Sequence, residues 1–188
     1  MATNYLDLSL GELLELSASE PAPGGGSAAA VAIALAASLV AKVARRSGDT
    51  WPESAGVAAQ AIELQERCPT LARDDADAWQ EALIALGDGR GDHQLAGVLD
   101  RAADLPLAIA ETGADVAGLA RLAAERGEGH LRGEAVAAAV LAHAGVRAAA
   151  HLVTINLATR ADDDRCTRAG LAEQAAADHA RKAVGVVE

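Results

Sequence analysis

A chain of 188 residues is long enough for one domain with a substantial core, and 51% of it is hydrophobic while only 2% is aromatic, so Ala, Leu and Val must fill the interior; that favours close-packed helices over sheets. The formal charge of −11, without any basic run, argues against a nucleic-acid surface, which has to neutralise phosphates. Cys68 and Cys166 lack metal-type or redox-type spacing, as expected of reduced thiols in a cytoplasmic protein.

Ser9 and Glu12 fit a capping box, and leucines at 10, 13, 14 and 16 make a short amphipathic helix to about Ser17. Next comes Pro21-Ala22-Pro23-Gly24-Gly25-Gly26-Ser27, followed by the small, apolar stretch Ala28 to Ala41. No Lys or Arg precedes Lys42, which argues against a secretory signal, and Lys42, Arg45 and Arg46 interrupt the run before it reaches the length of a membrane span. A buried helix at the centre of a bundle is left, capped by Ser27 in front and closed by Arg46 and Gly48 behind. Its glycine-rich start, with unpaired N–H groups and a positive dipole end, is an anion site in waiting.

Thr50 and Glu53 suggest a second capping box, with Pro52 in the first turn of a helix that runs to Leu86 and is kinked or split at Pro69. A loop from Gly87 to Asp92 precedes a helix from about Gln94 to Ala124, kinked at Pro106. After a loop from Gly127 to Gly133, an Ala-rich helix extends from Glu134 to about Thr159, and Asp162 to Asp164 supply acid to the start of a final helix ending near Val184. No period-two strand pattern, repeat or interdomain linker appears. The expected fold is all-α: a single domain over residues 1–188, built as an antiparallel bundle of five to six long, partly kinked helices.

Several segments together resemble a known family. Pro21 to Ala30 is similar to the opening signature of the cyclodeaminase/cyclohydrolase family, the helical domain of formiminotransferase-cyclodeaminase and its stand-alone bacterial relatives. Asp75-Ala76-Asp77-Ala78-Trp79 resembles its acidic segment, Pro106 to Glu111 its Pro-Leu…Ala-Glu stretch, and Val153-Thr154-Ile155-Asn156-Leu157 its Val-x-Ile-Asn-Leu stretch. The order is the family's, and the match covers most of the chain. The resemblance implies a helical homodimer that closes 5-formiminotetrahydrofolate to 5,10-methenyltetrahydrofolate with loss of ammonia, or a relative that interconverts methenyl- and 10-formyltetrahydrofolate with water. It implies no metal or cofactor beyond the folate substrate, and the charge and the interrupted apolar run already lead us to expect no nucleic-acid or membrane partner. Departures fall at Lys42, where an apolar residue is usual, at Gly133-Glu134 in place of Ser-Asp, and at Leu152 in place of Asn.

Ring closure needs a base for the N10 proton and an acid for the departing amine, and a buried carboxylate can serve as both. Asp75 and Glu134 are the catalytic candidates. Asp77 lies about 200° around the helix from Asp75 and so faces away from any pocket that Asp75 faces. Pro23, Gly24, Gly25, Gly26, Ser27, Lys42 and Asn156 are the candidate substrate-binding residues. Glu134 and Asn156 stand about 33 Å apart along one helix, and Lys42 about 24 Å from the glycines, so one site holds them all only if a dimer joins opposite ends. His143, Arg147 and His151 share a helix face and suggest a polar interface stripe. Trp79 is read as core packing, with stacking on a ligand ring as the alternative. Two further readings remain open: a helical binding or dimerisation module without catalysis, and a cyclase or deaminase acting on a non-folate imine or amidine.

Overall fold

The computed structural model describes residues 8–87, 92–157, 160 and 162–186, with the side chains of 92–96 excepted. Six helices follow one another: α1 (Leu10–Ser19), α2 (Gly25–Arg46), α3 (Ser54–Gly87), α4 (Asp92–Arg126), α5 (Arg132–Asn156) and α6 (Asp164–Gly185), with a 3-10 turn at Gly129–Leu131. The described residues contain no strand, as the alanine-rich, aromatic-poor composition predicts. Residues 88–91 of the expected Gly87–Asp92 loop, and Thr159 at the expected end of α5, lie outside the described residues.

Helices α2 to α5 pack around a core of alanines with Ile33, Val40, Val43, Ile109, Val116 and Val146, all with 1% exposure or less. Helix α4 touches α2, α3, α5 and α6, while α6 lies on α4 and α5. Three close approaches explain how such small side chains fill space. Ile33 of α2 sits where a Cβ on Gly113 of α4 would come within 2.6 Å of its Cδ1, and one on Gly145 of α5 within 2.8 Å of its Cγ1. A Cβ on Gly127 would stand 2.8 Å from a methyl of Val43. Glycine at these points lets backbone meet side chain directly.

Helix α2 is not enclosed on every side. Ala28, Leu35 and Lys42 form an exposed line at spacings of seven, so the expectation of a fully central helix is corrected: neighbours cover one broad face only. By length and composition alone, Gly25–Arg46 and Gly129–Asn156 are long and apolar enough to span a bilayer, despite the charges near the end of the first, and 56% and 44% of their most apolar windows are buried against the rest of the bundle. Helix α1 has its Ser9–Glu12 capping box but buries none of its residues.

Local caps differ from expectation where side chains find partners on other helices. Residue Gly24, not Ser27, precedes the first turn of α2, and Ser47 follows its last. The Ser47 hydroxyl donates to Val43 O at 2.9 Å and accepts from Glu128 N at 2.9 Å, joining the end of α2 to the α4–α5 connection. Thr50 is drawn into the same junction, its single hydroxyl proton in reach of both Ser47 O at 3.3 Å and Glu128 Oε1 at 3.1 Å; it caps nothing, and α3 starts later, at Ser54. Both Pro69 and Pro106 lie within continuous helices, so α3 is not split. Asp163 caps α6, and Arg165 reaches Asp100 and Asp104, tying the start of α6 to α4.

Candidate functional site

The first hydrogen bond of α2 runs from Ala28 N to Gly24 O, which leaves the N–H groups of Gly25, Gly26 and Ser27 without intrahelical acceptors. Against this helix start, α3 presents Asp75. The side chain of Asp75 packs directly on the Cα of Gly26, where an added Cβ would overlap the whole carboxyl group. Ser27, 2% exposed, donates to Ala72 O at 2.9 Å and lies 3.2 Å from Asp75 Oδ2. The inner half of the expected anion site is thus taken by the chain's own carboxylate, a favourable place for one. Burial pushes the Asp75 pKa up, while hydrogen bonds from the Ser27 side chain and backbone pull it partly back. A carboxyl caught between those influences can exist in both protonation states, as proton transfer requires.

Beside Asp75 opens a cavity of about 220 Å³, lined by Gly24, Gly25 and Gly26 from the start of α2, Asp75 and Trp79 from α3, Ala102 and Pro106 from α4, and Leu152, Ile155 and Asn156 from the end of α5. The lining repeats one pattern. Asp75 and Trp79, Ala102 and Pro106, and Leu152 and Asn156 are each four residues apart, one turn along one face of a helix. Asn156 donates from Nδ2 to Ala102 O at 2.6 Å, which ties α5 to α4, and among the described residues no side chain donates to its amide oxygen, an acceptor by its chemistry. Trp79 is 39% exposed at this cavity rather than buried in the core. Its place four residues beyond Asp75 was the signal for it. The cavity is smaller than the roughly 300–1,000 Å³ of typical small-molecule sites, so within one chain it has room for part of a larger molecule only.

Among the other candidates, Pro23 and Ser27 are buried behind the cavity and do not line it. Lys42 and Glu134 are absent from it; they pair with each other, Nζ to Oε1 at 2.7 Å, half-exposed at the far end of α2. Lys42 and Glu134, two of the positions expected to depart from the family pattern, thus neutralise each other, while the third, Leu152, lies in the cavity wall. Asp77 is exposed, turned away from Asp75 as expected. His143, Arg147 and His151 line a wider surface groove with Glu173 of α6, where Arg147 stands 3.8 Å from the carboxylate. Among the described residues no group of three His, Cys, Asp or Glu side chains could hold a metal ion. Both cysteines are free, and burial pushes the Cys68 thiol up to about 11.

Comparisons with known proteins bear on what this site serves. A search by sequence among curated proteins gave no match. A solved structure of formiminotetrahydrofolate cyclodeaminase from Thermotoga maritima is similar throughout: TM-score 0.88, 25% identity, 95% of each chain covered. Together with the family match, this points to a folate cyclodeaminase type of function. The model of the formiminotransferase-cyclodeaminase family matches residues 9–176, and the chain therefore belongs to that family.

Proposed function

We propose that this protein is a cytoplasmic folate one-carbon enzyme that closes 5-formiminotetrahydrofolate to 5,10-methenyltetrahydrofolate and releases ammonia, with the methenyltetrahydrofolate cyclohydrolase reaction as the nearest variant. The observation that carries this reading is a buried carboxyl, Asp75, held at a helix start in the wall of a cavity that also offers an aromatic face and an amide oxygen. In the reaction, N10 bonds to the formimino carbon and loses its proton; the carbon–nitrogen bond to the amine then breaks. Asp75 takes the N10 proton and returns it to the departing nitrogen, which gains its other added proton from solvent. Trp79 offers its face to the pteridine ring, Asn156 accepts from a ring N–H, and the amides of Gly24 and Gly25 stand at the open side of the cavity.

The reading includes a homodimer. Exposed positions run in sevens along two adjacent antiparallel helices: Ala28, Leu35 and Lys42 on α2, and Leu141, Ala148 and Ile155 on α5, whose line is continued by the half-buried Glu134. Both lines are apolar except where they end together in the Lys42–Glu134 pair, and Leu35 and Ile155 are 58% and 54% exposed. A two-fold axis across this strip would run each α2 antiparallel to its copy. The partner subunit's Lys42 and Glu134 would then lie near this chain's cavity, where a second acid and a cation for the folate carboxylates are wanted.

The test is to mix purified protein with 5-formiminotetrahydrofolate and follow methenyl absorbance and ammonia together. Turnover is expected; silence with this substrate and with methenyltetrahydrofolate would remove the proposal. Leu152 supports one second reading, a cyclase or deaminase acting on another imine or amidine, because it places an apolar side chain in the cavity where the family has an amide. Turnover of a formimino amino acid in place of the folates would select it.

A further inference from the structure

The geometry points to Ser27 as a positioning residue that holds the Asp75 carboxyl in one orientation in both of its protonation states, by reversing the direction of a single hydrogen bond. This rests on the reading of Asp75 as the proton carrier. A hydroxyl has one proton and two lone pairs. Ser27 Oγ has two acceptors in reach, Ala72 O at 2.9 Å and Asp75 Oδ2 at 3.2 Å. When Asp75 is ionised, the Ser27 proton turns to Oδ2. When Asp75 is protonated, its own O–H donates to Ser27 Oγ, and the Ser27 proton turns to Ala72 O. Neither state leaves the Ser27 hydroxyl or the Asp75 oxygen facing it without a partner, and neither requires the carboxyl to move.

The Ser27 backbone N–H also donates to Asp75, but an N–H cannot accept, so it holds the ionised form and not the neutral one. The cavity wall around Asp75 is built from glycines of α2, Trp79 of α3, Ala102 and Pro106 of α4, and Leu152, Ile155 and Asn156 of α5, and among the described residues Asp75 is its sole titratable one. Gly26 closes the remaining side by direct contact. Asn156 gives one Nδ2 hydrogen to Ala102 O, and its hydrogen bonds among the described residues do not include Asp75. An acid that takes a proton in one half of a reaction and gives it back in the other gains from such a relay, since reorientation between the two steps is avoided.

The experiment is a ¹³C titration of the Asp75 carboxyl, assigned by its loss in Asp75→Asn, in the full chain and in Ser27→Ala and Ser27→Cys. The bond to the ionised form is the stronger one. Its removal is therefore expected to move the midpoint to higher pH and to carry the acid limb of the kcat/KM profile with it, while kcat falls roughly tenfold or more and KM stays within about twofold. A folded variant that titrates like the wild type overturns the inference. So does a kcat loss with an unmoved pH profile, which marks a merely structural role. In the wild-type protein, the infrared band of neutral Asp75 should fall at the frequency of an acid that donates a hydrogen bond; a free-acid frequency overturns the relay however the variants behave. Titration and infrared need no substrate, so silence with folates removes the proposed reaction without touching these readouts.

Discussion

Asp75 is where burial and function pull against each other. Desolvation by the surrounding wall is the largest influence on it and raises its pKa, and the bonds from Ser27 offset only part of that. An acid whose pKa is higher folded than unfolded binds more protons in the native state over the interval between the two values. Its favourable contribution is therefore complete below the ordinary carboxylate range and is lost as pH rises through the raised value. Asp75→Asn, which keeps the shape and cannot ionise, should melt at a higher temperature than the wild type at neutral pH, and the difference should close as pH falls below that range. Thermal melts between pH 3 and pH 8 measure this; a variant less stable than the wild type at neutral pH would show that the ionised carboxyl is stabilised. The same substitution should cost about 10²–10⁴-fold in kcat, the usual worth of a general acid–base. Of these residues, Asp75 was legible in the sequence by its segment, and its helix phase separated it from Asp77. Trp79 was legible by spacing but outweighed by the habit of tryptophan to sit in cores. The contacts of Ser27 were not legible, because a serine after glycines reads as a cap until the carbonyl of Ala72, 45 residues away, is brought beside it.

At the level of the helices, alanine content and apolar spacing were sufficient to place α2 to α6 within a few residues of their observed ends. The errors cluster at junctions. Thr50 fits a capping pattern locally, yet its hydroxyl is engaged by Ser47 and Glu128, and such competition from a segment distant in sequence leaves no local trace. The helix contacts themselves rest on glycines whose purpose periodicity does not reveal. Ile33 stands between Gly113 and Gly145, with its Cδ1 where a Gly113 Cβ would lie 2.6 Å away. Gly113→Ala should therefore lower stability by about 1–3 kcal/mol through overpacking, against the gain that Ala normally brings to a helix interior. Because the clash is with the ends of two side chains, Ile33 Cδ1 and Val146 Cγ2, each 2.6 Å from the added Cβ, Ile33→Val should take back part of that loss and leave the part owed to Val146. Denaturant midpoints of the two single variants and the double variant would show it as a coupling; strict additivity would mean that Ile33 is not the obstacle.

For the whole molecule, the distribution of polar groups raises a question that one chain does not answer. The cavity is small for a folate, the Lys42–Glu134 pair lies at the other end of the same helices, and the strip between them is apolar and exposed. In a monomer, Glu134 is a surface partner of one lysine, and such pairs contribute little to stability or to a distant site. In a two-fold dimer across the strip, each cavity instead combines Asp75 of one chain with Glu134 of the other. The two arrangements differ in how defects combine. Asp75→Asn and Glu134→Gln should each be inactive as homodimers of the shared-site kind, but a heterodimer of the two carries both defects in one cavity and none in the other. Random assortment of equal amounts makes half of the dimers mixed, so co-expression should restore about a quarter of wild-type turnover. A monomeric enzyme would leave Glu134→Gln near full activity from the start, whereas a dimer with unshared sites would show no gain beyond the average of its parents. Turnover of the co-purified pair, read against each parent at equal protein concentration, therefore decides whether the distant ion pair serves a neighbouring cavity or only the surface on which it stands.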